Sequence, residues 1–152
     1  MQRMGAKTET SKLKSTGCTC LRLRKASRRM TQIYDRSLEE AGMTVTQYGL
    51  LGHLARLDGI SVGLLADKMI MDPTTLTRNL RPLERQGLVT VRTDRNDKRA
   101  RCLHLTAAGL GAFEKARPAW ARAQRHVERA LGEIETPALN AALDRVLEKL
   151  TL

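Results

Sequence analysis

The chain is short of aromatic residues, of acids to balance its bases and of long apolar runs, and each shortage closes off a class of function. One Trp, two Tyr and one Phe in 152 residues are too few for the stacking platforms that hold single-stranded nucleic acid. No apolar stretch reaches the ~20 residues needed to cross a bilayer, and the start lacks the charged-then-apolar pattern of a secretory signal. A cytoplasmic location, with no membrane partner, is therefore expected. Three cysteines, Cys18, Cys20 and Cys102, cannot make an even secreted disulfide framework, which leaves free thiols, metal ligands or redox sensors. Glycine-rich phosphate loops, paired catalytic carboxylates and nucleophile motifs are missing, so neither an enzyme nor a bound cofactor is expected.

What is present in excess is positive charge. Twenty-seven Lys and Arg against sixteen Asp and Glu give a formal charge of +11, a field that draws polyanions such as nucleic acid or an anionic surface. The length suits one ordinary domain with a real core. Residues 1–17 carry Lys7, Lys12 and Lys14 without apolar periodicity and read as a flexible basic arm.

From Cys20 to Ala41 a helical period places Leu23, Ala26, Met30, Ile33, Tyr34 and Leu38 on one face and Arg22, Lys25, Arg29 and Arg36 largely on another. Gly42 stops it. Thr44 and Gln47 have capping-box spacing, and the helix behind them turns Tyr48, Leu51, Leu54 and Ala55 inward. Ser61 caps a short helix through Leu64, Leu65 and Met69. Asp72-Pro73 is an N-cap followed by proline at the first helical position, opening a helix through Leu76, Leu80 and Leu83 that ends at Gly87. Two extended segments, Leu88–Thr93 and Arg101–Thr106, flank a polar tip from Asp94 to Arg99. Beyond Thr106 the helical pattern returns. Phe113, Trp120, Val127 and Ile134 recur every seven residues, widened by Leu110, Ala116, Ala123 and Leu131. Thr136-Pro137 suggests a fresh cap for a last helix bearing Leu139, Leu143, Val146, Leu147 and Leu150. Such long stripes pack helix on helix, within or between chains.

A short helix, a tight turn, a second helix and a hairpin form the order of a winged helix-turn-helix. The second helix of that motif enters the major groove, its N-terminal residues nearest the bases. Thr74, Thr75, Thr77, Arg78, Asn79 and Arg81 supply hydroxyls, an amide and guanidinium forks there, while the leucines face the core. Arg suits guanine, Asn adenine, and a Thr methyl can meet thymine. Arg95, Lys98 and Arg99 at the hairpin tip suit the negative potential of a narrow minor groove, and Arg92 and Arg101 could reach phosphates. Pro82, inside the second helix, removes one backbone hydrogen bond, and a bend there would leave the N-terminal turns as the part entering the groove. An ordinary solvated amphipathic helix and a merely hydrated hairpin would show the same composition.

In their order and spacing, Asp72-Pro73-Thr74-Thr75-Leu76-Thr77-Arg78-Asn79-Leu80, Leu83-Glu84-Arg85-Gln86-Gly87-Leu88-Val89 and Asp97-Lys98-Arg99 leading to Leu105-Thr106-Ala107-Ala108-Gly109 resemble the MarR family of bacterial regulators. The resemblance runs from Cys18 to Leu152. It implies a mainly α fold with a small β-hairpin wing: a dimerisation helix over 18–43, a winged helix-turn-helix over 44–106 and C-terminal dimerisation helices over 107–152. It implies a homodimer on a pseudo-palindromic double-stranded operator, base and phosphate contacts from the helix starting at Asp72, and Arg99 in the minor groove oriented by Asp97. Such regulators usually repress and release DNA when a small ligand or oxidant acts.

For the signal, Met30, Tyr34, His53 and Leu54 are candidate walls of a ligand pocket, and equally candidate core. In the branch of the family that senses organic hydroperoxides, a reactive cysteine begins the first helix fourteen residues before a tyrosine, the spacing of Cys20 and Tyr34. A helix N-terminus with Arg22 and Arg24 nearby would favour a thiolate. Arg24 and Val45 stand where that branch carries further tyrosines. Cys18 and Cys20 could serve a soft metal, but His53, His104 and His126 lack matching spacing, and no metal is expected. A nucleoid-type protein that coats DNA without choosing sequence is the remaining rival.

Overall fold

The computed structural model describes residues 17–151; the basic arm expected over 1–17 lies outside the described residues, apart from Gly17. In chain order the elements are α1 (Thr19–Leu38), a 3-10 turn (Glu39–Ala41), α2 (Val45–Arg56), β1 (Ile60–Ser61), α3 (Val62–Met69), α4 (Pro73–Arg85), β2 (Val89–Thr93), β3 (Arg101–Leu105), α5 (Ala107–Leu131) and α6 (Glu135–Lys149). Among the described residues no helix is long and apolar enough to cross a membrane.

Local chemistry sets most of the helix starts. Thr44 accepts the Gln47 N–H while the Gln47 side chain accepts the Thr44 N–H, closing the capping box of α2. Ser61 accepts from Leu64 N at 3.2 Å and begins α3. Asp72 accepts from Thr75 N at 2.9 Å, with Pro73 at the first helical position of α4. The helix runs through Pro82 to Arg85, and the Pro82 carbonyl accepts from Gln86 N at 3.1 Å, completing the last turn beyond the proline.

Three expectations need correction. The wing is not a two-stranded hairpin alone but a three-stranded antiparallel sheet in the order β1-β3-β2, with Ile60 opposite Leu103 and Ser61 opposite Cys102. A two-residue strand shows no alternation to read. Thr136 does not cap α6: the helix begins at Glu135, and Thr136 is buried in its first turn with its hydroxyl donating to the Gly132 carbonyl at 3.2 Å. Ile134 does not continue the apolar stripe of α5, because that helix ends at Leu131 and Ile134 stands exposed at the head of α6.

The core gathers Leu50, Leu51 and Leu54 of α2, Leu65 of α3, Leu76, Leu80 and Leu83 of α4, Val89 and Leu103 of the sheet, and Ala116 and Ala119 of α5. Tyr48 stacks on Phe113 at 4.8 Å between ring centroids and on Trp120 at 5.9 Å, tying α2 to α5. The sheet meets α5 at a close approach. Thr106 accepts from Gly109 N at 2.9 Å, its hydroxyl donates to the Gly87 carbonyl at 2.7 Å, and its own N–H reaches Leu88 O at 3.1 Å. A Cβ at Gly109 would lie 2.0 Å from Leu88 O and 2.7 Å from Leu105 Cδ1. Gly109→Ala is therefore expected to destabilise the protein by roughly 2–3 kcal/mol, in the range of overpacking, and to lower Tm by roughly 5–10 °C. Gly111→Ala, where the new Cβ meets nothing, is the control and should leave Tm unchanged or slightly raised in the same melt.

Candidate nucleic-acid interface

Leu76, Leu80 and Leu83 bury one side of α4, so its polar residues are turned outward. Pro73, Thr74, Thr77, Arg78 and Arg81 line an open cleft of about 310 Å³ along that outer side. The side chains differ in how free they are. Thr75 donates its hydroxyl to Asp72 Oδ2 at 2.5 Å, Thr77 donates to the Pro73 carbonyl at 2.8 Å, and Asn79 Nδ2 donates to the Thr75 carbonyl at 2.9 Å. These three spend a donor on their own helix and keep lone pairs for a partner. Arg78 and Arg81 are exposed and bring guanidinium forks, the donor geometry suited to guanine. The Thr75 hydroxyl and N–H together hold the Asp72 carboxyl below its usual range.

The wing tip is organised by a carboxylate that sequence reasoning did not single out. Asp94 Oδ1 accepts from Asn96 N at 2.6 Å and Asp97 N at 3.2 Å, and the Asp94 N–H reaches the Ala100 carbonyl at 2.9 Å. Across the hairpin the Cys102 thiol donates to Asp94 Oδ2 at 3.6 Å. Asp97 Oδ1 in turn accepts from Arg99 N at 2.9 Å, which sets the backbone from which that guanidinium departs. Arg95, Lys98 and Arg99 are all exposed on this frame, as are Arg92 and Arg101 on its strands. The base of the wing has its own clasp, also unforeseen: Asp58 accepts from Leu105 N at 3.2 Å and faces His104 Nδ1 at 3.3 Å. An aspartate opening a tight polar loop was a readable signal for Asp94; the pairing of Asp58 with a strand 47 positions on had none.

The signal candidates sit in different settings within the chain. Leu54 has no free surface and belongs to the core, so it lines no cavity. His53 Nδ1 bonds the Gly49 carbonyl of its own helix at 2.8 Å, Met30 is half-buried, and Tyr34 donates its hydroxyl to Gln124. Burial, then the Glu128 carboxylate, pushes the Tyr34 phenol up. Open cavities beside α1 have other linings: one of about 400 Å³ includes Asp35, Arg36, Met43 and Gln47, and another of about 290 Å³ includes Ile33, Arg36, Arg122 and His126. Cys20 and Tyr34 sit on the same helix about 21 Å apart along its axis and do not touch within one chain. The N-cap of α1 is Cys18, whose sulfur accepts from Leu21 N at 3.4 Å. Cys18 and Cys20 are exposed free thiols and Cys102 a buried one, its thiol pushed up by burial and by Asp94. Among the described residues no three His, Cys, Asp or Glu side chains converge as metal ligands.

A short helix, a helix capped by Asp72 with a cationic outer side, and a β wing with a basic tip define a winged helix-turn-helix protein. Residues 41–100, from the start of that module through the wing tip, match the model of the MarR family. The chain is 33% identical over 97 residues to the organic hydroperoxide resistance transcriptional regulator of Bacillus subtilis, covering 64% of this chain and 66% of that one. It spans less than two thirds of the length of each curated relative it matches. Among solved structures it resembles the M. tuberculosis transcriptional regulator MosR in complex with DNA, at 33% identity and a TM-score of 0.71, over 88% of this chain and 99% of that one. The S. aureus MepR–DNA complex gives 27% identity and a TM-score of 0.74 over 88% and 98%. The chain belongs to the MarR family.

The wing-tip geometry has a pH consequence. Backbone N–H donation from Asn96 and Asp97 holds Asp94 below the usual carboxylate range. A depressed folded pKa means the stabilisation is fully present above the unfolded value, about 3.9, and is lost as pH falls through the folded one. The Asn96 and Asp97 amide resonances should therefore titrate together, with a midpoint below about 4. Asp94→Asn should abolish that titration. A midpoint at or above the ordinary value would mean the carboxylate does not hold the tip.

Proposed function

We propose that the protein is a sequence-specific transcription regulator that binds double-stranded DNA as a homodimer on a pseudo-palindromic operator, represses, and is released by a small ligand or oxidant in the cytoplasm. The observation that carries this reading is α4: a helix locked to the core by three leucines, with Thr74, Arg78 and Arg81 outward around a cleft. In the complex Arg78 and Arg81 offer donors to base edges, Thr74 offers its hydroxyl and methyl, and Thr75, Thr77 and Asn79 offer the acceptors they retain. Arg95, Lys98 and Arg99 enter the minor groove from a tip that Asp94 and Asp97 hold in shape, and Arg92 and Arg101 contact phosphates. The MosR and MepR structures, both solved with DNA, support the same use of this fold.

Residues 44–106 form the DNA-reading module, and residues 18–43 and 107–152 the dimerisation region. The support for a dimer is the apolar surface on those terminal helices: Leu21 and Leu23 of α1, Leu110 and Leu131 of α5, Ile134 beside α6, and Leu139, Leu147 and Leu150 at the chain end are exposed. Scattered single apolar residues are ordinary, but this many on three adjoining elements call for a covering partner. The double substitution Ile134→Asp with Leu147→Asp is expected to halve the mass measured by light scattering and to weaken operator binding. A double variant that keeps the wild-type mass would place the interface elsewhere.

Selection from a random duplex pool at near-physiological salt tests the central reading. It should enrich an inverted repeat with half-sites about one helical turn apart. On that site Arg78→Ala should relax preference at one position per half-site, at about 1–3 kcal/mol, and Arg99→Ala should weaken binding to all sequences. Tight binding with no enriched motif would instead favour a non-specific coat of nucleoid type. A second reading, release by oxidation, is supported by the exposed thiols of Cys18 and Cys20 at the start of α1 and by the likeness to a hydroperoxide-resistance regulator. On that reading peroxide releases the wild type from the selected site, and Cys20→Ser stays bound.

A further inference from the structure

Six described residues have a backbone of positive φ, and five of them are glycines: Gly17, Gly42, Gly59, Gly87 and Gly132. The sixth is Ile70, at φ 50° and ψ 45°, between α3 and α4. In that left-handed region the Cβ crowds the following carbonyl, and a β-branched side chain makes the conformation a true outlier. Burial could offset such strain, yet Ile70 is 74% exposed, while its neighbours Met69 and Met71 are the ones packed against the core. The turn does not depend on the side chain either. Its closing bonds are backbone ones, Ile70 N to Asp67 O at 3.1 Å and Met71 N to Ala66 O at 2.9 Å. In the free protein the isoleucine is thus a strained residue whose side chain is largely exposed, where glycine or asparagine would adopt the same backbone more easily. Strain kept at an exposed position points to a use outside the free fold.

The position says what that use is. Ile70 lies two residues before Asp72, the N-cap of α4, at the end of the helix that enters the groove in this motif. We propose that Ile70 is an apolar DNA contact, packing at the edge of the major groove against a thymine methyl or the neighbouring deoxyribose. The proposal rests on the DNA-binding reading above and adds to it a residue outside the polar reading set.

The test uses the full-length protein, its selected operator and two variants, Ile70→Gly and Ile70→Asn, both compatible with the left-handed backbone. Each variant should keep or raise Tm and bind the operator at least about fourfold more weakly, the factor that burying one methylene supplies. Replacing operator thymines one at a time with uracil separates the two sources. A thymine-methyl contact appears as a loss at one position per half-site that wild type feels and Ile70→Gly does not. A deoxyribose contact leaves no uracil substitution whose effect Ile70→Gly loses, while the variants still bind weakly. Unchanged operator affinity in variants that melt at or above the wild-type temperature overturns the contact alone. A lower Tm in both variants also overturns it, since the side chain would then serve the fold. Wild-type protein that binds no duplex overturns the regulator reading and the contact together.

Discussion

Burial of Leu76, Leu80 and Leu83 decides which side of α4 faces solvent, and the rest of the interface depends on it. The three side chains pack with the α2 leucines, Leu65 and Val89, each fully buried leucine worth about 1.5–3 kcal/mol. Turning the helix by one residue, about 100°, would bring Thr77, Arg81 and Glu84 toward that core and turn all three leucines out of it. An unpaired buried guanidinium is costly enough to forbid such a slip. The outward set of Thr74, Arg78 and Arg81 is therefore a consequence of apolar packing rather than of any attraction among the polar residues themselves.

The wing follows a different rule. Its outer half has little to bury, and its shape comes from carboxylates used as anchors for backbone N–H groups: Asp94 for the tip, Asp97 for Arg99, Asp58 for the base. Acids placed inside a cationic surface serve two ends. They hold the loop, and each satisfies its own negative charge with backbone donors, so the basic side chains remain unpaired by them. The pairs of Arg117 with Glu114 and Arg122 with Glu40 lie on or beside α5, away from α4 and the wing tip, and His104 faces Asp58 at the base of the wing. The aromatic stack of Tyr48, Phe113 and Trp120 joins α2 to α5.

Features made by residues within one turn of each other were legible in the sequence. The capping box at Thr44, the Ser61 cap and the Asp72-Pro73 start of α4 all act across three residues, where spacing alone specifies the partner. The leucine period gave the buried side of α4 for the same reason. Features that depend on distant partners were not legible. Ile60-Ser61 becomes a strand only because Leu103 and Cys102 arrive beside it. Thr136 looked like a cap by its type, but Gly132 ended α5 early and put the helix start one residue before it. Leu54 fitted a pocket wall by polarity as well as it fitted the core, and only packing separated the two.

By itself the sequence determined the order of the helices and of the two longer strands, the excess positive charge and the polar residues of the outer side of α4, because these follow from composition and short-range periodicity. The tertiary structure decided how those residues are held. It paired Asp58 with β3 and Asp94 with Cys102, and left Ile70 strained and largely exposed at the head of α4. Each of these depends on where remote backbone segments come to rest, and pattern along the chain carries no such information.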